Sequence, residues 1–271
     1  WVSKRITQHV ESHFVLGTIV QIQDQSIKLG IGRARPGNMR IDEISCWTGY
    51  KKQGAANQRK YPNEELCRFM GRHFFHLSKK DRAKNFFLEA GCGSGGNLWM
   101  LSKEGFKTYG LDFSKESIKI LKKILIKRKL KANLTVGNMT KMPFKNNLFD
   151  CVIDVFSSTN LNKIDGESFI SESSRVLKKK GLFFSYFPSK NSSMFKSKKK
   201  KLIDRDTIIK LDSSKHAYRI NNIPFRFMSK DNYIEILRKN RIKTIYCEEI
   251  VKTYFNGTEK FCFLSIIGVK V

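Results

Sequence analysis

Acidic residues and long apolar runs are both in short supply in this sequence. The 271 residues include 24 Asp and Glu against 52 Lys and Arg, so the formal net charge at pH 7 is +28. No apolar segment reaches the roughly 18–20 residues that a membrane-spanning helix needs, and no basic segment followed by an apolar signal core opens the chain. We therefore expect no membrane span and a cytoplasmic location.

Cysteine pairs and metal-ligand clusters are also missing. The six cysteines are scattered, without a Cys-x-x-Cys pair or a Cys/His cluster at zinc spacing. This distribution predicts reduced core thiols and no metal site. Hydrophobic residues, by contrast, make up 40% of the chain, which is enough for a sizeable core and argues against global disorder.

The positive charge has two explanations. Lysines can attract phosphate backbones. Here, however, they are spread along the chain together with many Ile, Asn and Phe, a mixture expected from an AT-rich genome. The clearest run is Lys196 with 198–201, which contains no Arg and has one nearby aromatic residue, Phe195. We interpret this run as a solvated loop and regard nucleic acid as a partner that is not favoured.

The chain length suits one large domain with a small appendage. Two short β segments at 14–22 and 27–34 predict a hairpin-like N-terminal extension over 1–45, whose role the sequence does not indicate. The remainder, 46–271, is predicted to be the main domain, and its first part, 46–80, is a lid or helical lead-in.

Strand and helix patterns alternate through the main domain. Strands are predicted at 85–90, 108–111, 134–136, 149–156 and 182–187, with helices at 64–77, 98–104, 115–127 and 166–177. A helix at 230–239 and a hairpin of strands 243–254 and 260–269 around Asn256-Gly257 complete the chain. The pattern predicts an α/β fold with a doubly wound, mostly parallel sheet and an antiparallel C-terminal strand pair. Residues 189–224 lack periodicity and are predicted to be an insertion, either a lid or a floppy loop.

A glycine-rich turn follows the first predicted strand. Glu89-Ala-Gly91-Cys-Gly93-Ser-Gly95-Gly96 lets a ligand approach backbone N–H groups closely, as in nucleotide sites. The glycine spacing suits NAD and S-adenosylmethionine equally. Asp112 ends the second strand, 21 residues after Gly91, where a carboxylate can accept hydrogen bonds from ribose hydroxyls. Helix capping is the alternative role, although Ser114 suits it better.

Further short motifs distinguish between the two possible cofactors. They stand near the third and fourth strands and in the next helix: Gly137-Asn138-Met139, Met142-Pro143-Phe144, Phe149-Asp150 and Glu172-x-x-Arg175-Val-Leu-Lys-x-x-Gly181. Together with the glycine turn and Asp112, they resemble the class I S-adenosylmethionine-dependent methyltransferases of small-molecule type, over roughly residues 60–271. The resemblance implies a Rossmann-like fold with an antiparallel seventh strand, and S-adenosylmethionine as the cofactor.

The resemblance also implies roles for single residues. Gly91 and Gly93 would pack against the methionine and ribose parts of the cofactor, with Glu89 near its ammonium group. Asp112 would hold the ribose hydroxyls, and Phe113 would lie along the adenine.

Three further positions carry implied cofactor contacts. Asn138 stands where the family often has Asp, and its side-chain carbonyl can still accept a hydrogen bond from the adenine amino group. Met139 would supply a backbone N–H. The backbone at Asp154 would approach the methionine part, while a structural role for the Asp154 side chain stays open.

Residues ahead of the main domain resemble the segment that folds over the cofactor in small-molecule members. Trp47, Tyr50 and Tyr61 belong to it, and aromatic rings there could shield the sulfonium through cation–π attraction. Core packing is the alternative for Trp47.

The catalytic group and the acceptor are less defined. A general base is needed only when the acceptor is a weakly acidic hydroxyl or a protonated amine. The candidates are His73, His76, His216 and Tyr186, and none is assigned.

Four functions follow from these patterns. Transfer to an O or N of a small-molecule or glycan-type acceptor is favoured, since 46–80 and 189–224 would enclose such an acceptor. The alternatives are an RNA methyltransferase, suggested by the charge, and a non-catalytic S-adenosylmethionine-binding partner subunit, suggested by the absence of an evident base. An NAD-dependent oxidoreductase is compatible with the glycine spacing alone.

Overall fold

A computed structural model describes residues 60–211, 216–218 and 220–271. The predicted N-terminal extension with its hairpin lies outside the described residues, as do Trp47 and Tyr50. The described residues form ten strands: β1 (Phe86–Ala90), β2 (Lys107–Asp112), β3 (Asn133–Val136), β4 (Phe149–Val155), β5 (Leu177–Pro188), β6 (Lys200–Asp204), β7 (Thr207–Leu211), β8 (Ile220–Arg226), β9 (Ile242–Tyr254) and β10 (Glu259–Lys270).

Seven of these strands build one large sheet. Its order is β3-β2-β1-β4-β5-β10-β9, and β1 to β5 are mutually parallel. The strand β10 runs antiparallel to both β5 and β9. The predicted Rossmann-like α/β fold with an antiparallel C-terminal pair is therefore confirmed.

Helices cover both faces of this sheet. In the described part of the chain they are α1 (Glu64–His73), α2 (Lys79–Arg82), α3 (Leu98–Lys103), α4 (Lys115–Lys127), α5 (Lys163–Val176), α6 (Ser193–Lys196) and α7 (Lys230–Lys239), with a 3-10 helix at Ser158–Asn160. None of them is long and apolar enough to cross a membrane.

Strand β1 shows how the two faces are filled. Successive side chains of a strand point to opposite faces. Phe87 packs in a cluster with Phe69 of α1 and Leu101 of α3, whereas Leu88 packs with Phe169 of α5 and Leu237 of α7. Because both faces are buried, the central strands are almost entirely apolar rather than alternating.

Some predicted boundaries shift by a few residues. The helix predicted at 64–77 ends at His73. The helix predicted at 166–177 begins at Lys163, because the Asn162 side chain caps it by accepting a hydrogen bond from the Asp165 N–H at 2.9 Å.

The insertion at 189–224 is not a floppy loop over its described residues, whereas the alternative of a lid stays a prediction. It contains α6 and an antiparallel sheet in the order β6-β7-β8. Ile208, Leu211 and Ile220 are buried within it. The prediction missed this sheet because β6 is lysine-rich and buries none of its residues, while the buried apolar residues lie on two separate short strands, β7 and β8.

A buried arginine anchors the insertion to the main domain. Arg226, at the end of β8, is 2% exposed, and its carbonyl accepts a hydrogen bond from the Thr159 hydroxyl at 3.0 Å. Its guanidinium lies against Gly166 of α5, where a Cβ atom would come within 1.4 Å of Nη1. A side chain at position 166 would therefore have to displace this cation.

This contact leads to a stability prediction. Gly166→Ala should lower the free energy of unfolding by about 1–3 kcal/mol, because the new methyl group overlaps the buried guanidinium. Gly71→Ala is the matched control: Gly71 also lies in a helix, and nothing lies within 4 Å of its added Cβ. That substitution should stabilise by roughly 0.5–1 kcal/mol through helix propensity. Urea denaturation of both variants tests the pair, and equal changes of the same sign would contradict the anchoring role.

Candidate functional site

The glycine turn after β1 adopts the backbone conformation that its sequence predicts. Gly91 has φ +71° and Gly93 has φ +50°, a region that side chains with Cβ atoms rarely adopt. Glu89 is 3% exposed, and its Oε1 accepts a hydrogen bond from Asn97 Nδ2 at 2.7 Å. Asn97 Oδ1 in turn accepts from the backbone N–H of Asn63 at 2.8 Å, which links the turn to the start of α1. Asn97 was not predicted as a site residue, because no local pattern points to it.

The loop after β4 closes onto this turn. The Ser157 hydroxyl donates a hydrogen bond to the Gly91 carbonyl at 2.8 Å across 66 residues of sequence. A Cβ atom at Gly91 would lie only 2.4 Å from Ser157 Cβ. The two loops therefore form one wall, and Ser157 is a second site residue that the sequence reasoning missed.

Asp112 lies where the second strand ends, as predicted. Its side chain accepts hydrogen bonds from the N–H groups of Gly93 at 2.8 Å and Ser114 at 2.9 Å, and the residue is 8% exposed. Burial raises the pKa of Asp112, against the lowering effect of these two N–H groups. The N-cap of α4 is Ser114, whose side chain accepts from Ser117 N–H. Each Asp112 oxygen keeps a lone pair for a further donor.

Two neighbouring loops carry the residues implied for the adenine. Phe113 is 42% exposed directly after β2. The loop after β3 approaches it through a hydrogen bond from Gly137 N–H to the Asp112 carbonyl at 2.9 Å, and Asn138 and Met139 follow. Asn138 Oδ1 already accepts from Thr140 N–H at 2.8 Å, so one of its two lone pairs remains.

Asp154 is enclosed completely. It is 0% exposed and accepts hydrogen bonds from the N–H groups of Ser157 and Ser158 and from the Ser185 hydroxyl, at 3.2, 3.0 and 3.0 Å. The Tyr233 hydroxyl extends this network by donating to Ser185 Oγ at 2.8 Å. Burial raises the pKa of both Asp154 and Tyr233. The side chain of Asp154 thus holds the loop after β4 in shape.

The candidate general bases lie at opposite ends of the sheet. His73 lies at the end of α1 beside Phe74, whose ring packs on Phe87 near the beginning of β1. This is the amino edge of the parallel strands, whereas ligands of such sheets bind at the carboxyl edge. His76 follows shortly after and is exposed. Tyr186 is 4% exposed and stacks on Phe263, with ring centroids 4.5 Å apart.

His216 has a different setting. Its Nδ1 lies 2.9 Å from Oε1 of Glu259, a residue that is 3% exposed and also accepts from the Ala217 N–H. Such a contact orients the ring and leaves Nε2 for another partner. Two residues along, the Tyr218 ring lies 5.3 Å from Phe156, the residue directly after β4.

Phe156 is the centre of an aromatic cluster at the carboxyl edge. Its ring centroid is 5.3–5.7 Å from those of Tyr218, Phe225 and Phe263. Its φ is +61°, which for a bulky residue is strained by about 1–3 kcal/mol. Strain of this kind persists only where the surroundings hold it, and it concentrates at functional sites. The cluster joins the loop after β4 to the insertion sheet and β10.

Comparison with known proteins agrees with this geometry. Residues 88–185 match the family model of a methyltransferase domain. The chain is 33% identical to the ubiquinone biosynthesis O-methyltransferase of Pelagibacter ubique, over 41% of this chain and 45% of that protein. It is 22% identical to the tRNA N(3)-methylcytidine methyltransferase trm140 of Schizosaccharomyces pombe, over 63% of this chain and 62% of that one. The chain thus spans about half the length of the curated relatives it matches.

A solved structure shows the same fold. The SAM-dependent methyltransferase of Methanosarcina mazei superposes with a TM-score of 0.59 at 20% identity, covering 69% of this chain and 92% of the other. The family match begins in β1 and ends in β5, so it includes the glycine turn, Asp112 and the loop after β4. Of the two cofactors that the glycine spacing allows, this match favours S-adenosylmethionine. Residues 88–185 are thus similar to a methyltransferase domain, and the fold around them is the one shared with the solved methyltransferase structure.

Proposed function

We propose that the protein is an enzyme that transfers the methyl group of S-adenosylmethionine to an O or N atom of an acceptor. One observation carries the proposal: the left-handed turn at Gly91 and Gly93 lies hydrogen-bonded to the buried carboxylate of Asp112, with the exposed ring of Phe113 beside it. The methyltransferase unit is proposed to extend over 46–271 and to include the insertion.

The turn suits a closely bound cofactor because Gly91 and Gly93 carry no side chains, which leaves the backbone accessible. A Cβ atom at Gly91 would overlap Ser157, whose Cβ would be 2.4 Å away. In our proposal Gly91 and Gly93 hold the methionine and ribose parts, Glu89 lies near the ammonium group, and Asp112 accepts from the ribose hydroxyls.

The remaining contacts follow from the neighbouring loops. Phe113, Asn138 and the Met139 backbone would hold the adenine, and at Asp154 we assign the contact to the backbone, since the side chain is fully engaged. When bound, S-adenosylmethionine supplies a methyl group already activated by the sulfonium. The protein's part is to orient the acceptor and exclude water.

A small-molecule or glycan-type acceptor is supported by the aromatic cluster around Phe156. Apolar and aromatic walls with a few polar groups are typical of small-ligand sites, and the relative from Pelagibacter is named for ubiquinone biosynthesis. For a hydroxyl acceptor we propose His216 as the general base, oriented by Glu259.

RNA is the second candidate acceptor. The formal charge of +28 favours a polyanionic partner, and the longer of the two curated alignments, over 63% of this chain, is to a protein named as a tRNA methyltransferase. A non-catalytic subunit is the third reading, and detection of any methylated product would contradict it.

Calorimetric titration tests the cofactor first. We expect micromolar binding of S-adenosylhomocysteine and no binding of NAD under the same conditions, because the glycine turn alone suits both ligands but the rest of the site matches the first. Binding of NAD alone, or of neither ligand, would contradict the proposed function. Incubation with methyl-labelled S-adenosylmethionine and either a metabolite extract or total RNA then separates the two acceptor classes.

A further inference from the structure

The insertion carries uncompensated positive charge along its outer strand. Between residues 189 and 211 there are eight Lys and Arg but two acidic residues. Four exposed lysines on α6 and β6 and in the turn between them form what we call the basic edge: Lys196, Lys198, Lys199 and Lys201. In the described part of the chain none of the four has an acidic partner within 4 Å.

The two acidic residues of this segment are turned away from the basic edge. Asp204 accepts hydrogen bonds from the backbone N–H groups of Lys163 at 3.0 Å and Asp206 at 2.8 Å. The Asp206 side chain is 3% exposed and pairs with Lys190. These carboxylates stabilise the fold of the insertion and leave the charge of the basic edge unneutralised.

The basic edge lies at the same end of the main sheet as the cofactor loops. Asp204, the last residue of β6, binds the N–H of Lys163 at the start of α5, and this helix follows β4 and its 3-10 helix directly. The insertion is also tied to Thr159 in that 3-10 helix. A polymer bound along β6 would therefore run beside the carboxyl edge of the parallel strands.

The strand itself is an edge strand. Among the described residues β6 pairs with β7 alone, and it exposes Leu202 by 41% and Ile203 by 45%. Lysines on an edge strand can protect it from aggregation. That role requires no clustering, whereas a row of cations fits a phosphate backbone, and the exposed Leu202 and Ile203 can pack against the flat faces of unpaired bases.

We propose that the basic edge binds the phosphate backbone of RNA and holds it beside the methyl-transfer site. This inference deepens the proposed function by giving the RNA acceptor class a docking surface. Its test measures binding and does not depend on methyl transfer.

The experiment compares two charge-reversal variants with equal change in net charge. The first carries Lys198→Glu, Lys199→Glu and Lys201→Glu. The second carries Lys119→Glu, Lys122→Glu and Lys123→Glu, at exposed positions of α4 on the other half of the sheet. The probe is a fluorescein-labelled single-stranded RNA of mixed sequence, measured by anisotropy from roughly 50 to 200 mM salt.

We expect the wild type and the α4 variant to bind alike and the basic-edge variant to bind at least about tenfold more weakly. The logarithm of the binding constant falls linearly with the logarithm of the salt concentration, by roughly 0.7 per phosphate contact for a single strand. Losing three contacts should therefore reduce the magnitude of this slope by about 2. Charge reversal leaves charged side chains on the edge strand, so both variants stay protected from aggregation and their RNA affinities can be compared directly.

Three results would overturn the proposal. Equal weakening of both variants would mean that net charge alone attracts RNA, and no wild-type binding at roughly 100 mM salt would mean that no docking surface exists. Preferential binding to vesicles of phosphatidylserine and phosphatidylcholine would assign the edge to a membrane surface. S-adenosylhomocysteine titrations of the same samples show separately whether the proposed function fails, since neither triple change touches the cofactor site.

Discussion

Asp112→Ala is expected to weaken S-adenosylhomocysteine binding by about 1.5–3 kcal/mol, the cost of removing hydrogen bonds to a charged group. This corresponds to a loss of roughly 10- to 150-fold in affinity. The carboxylate is buried and already oriented by the N–H groups of Gly93 and Ser114, so little entropy is lost when the ribose hydroxyls bind. Calorimetric titration of the folded variant measures the loss.

Two controls separate ribose recognition from damage to the turn. Asp231→Ala removes an exposed carboxylate from α7 and should leave the affinity unchanged. A 2′-deoxy analogue of S-adenosylhomocysteine should bind more weakly than the parent ligand to the wild type but equally well to Asp112→Ala. If the variant instead binds both ligands more weakly by the same factor, so that the parent ligand keeps its advantage, Asp112 acts only by shaping the turn.

Gly91→Ala should abolish measurable cofactor binding and lower the free energy of unfolding by about 2–5 kcal/mol, combining backbone strain with overpacking. The residue has φ +71°, and an added Cβ would lie 2.4 Å from Ser157 Cβ and 2.6 Å from its hydroxyl oxygen. The loop after β4 would have to move away from the turn. Denaturant unfolding and S-adenosylhomocysteine titration measure the two effects.

Gly257→Ala is a matched control for the backbone strain. Gly257 has φ +86° in the β9–β10 turn, yet nothing lies within 4 Å of its added Cβ. It should lose stability without losing the cofactor. In the Gly91→Ala background, Ser157→Gly removes the overlapping atoms and should restore part of the binding. Failure of this rescue would contradict the close approach of the two loops.

The parallel sheet and the glycine turn were accessible from sequence because they depend on local patterns. Buried parallel strands are largely apolar, the turn requires glycine at left-handed φ, and Asp112 is the last residue of its strand. The helix α4 was predicted with its observed bounds, Lys115–Lys127, since Ser114 caps it and apolar residues recur at helical spacing.

The interpretation of the lysine run as a solvated loop was wrong for a physical reason. The basic edge looks like a solvated loop when it is read along the chain, because β6 buries little of its own surface. Its strand conformation comes from backbone pairing with β7, and the apolar residues that support the sheet lie on β7 and β8.

The sequence by itself determined the fold class, the glycine turn and the position of the carboxylate at Asp112, since each depends on residues close together in the chain. Only the tertiary structure decided which groups surround each histidine. The sequence alone does not distinguish His73 from His216. Packing places the first at the amino edge of the sheet and orients the second against Glu259, 43 residues away. Contacts across such separations depend on how whole strands and helices pack, so local sequence patterns do not predict them.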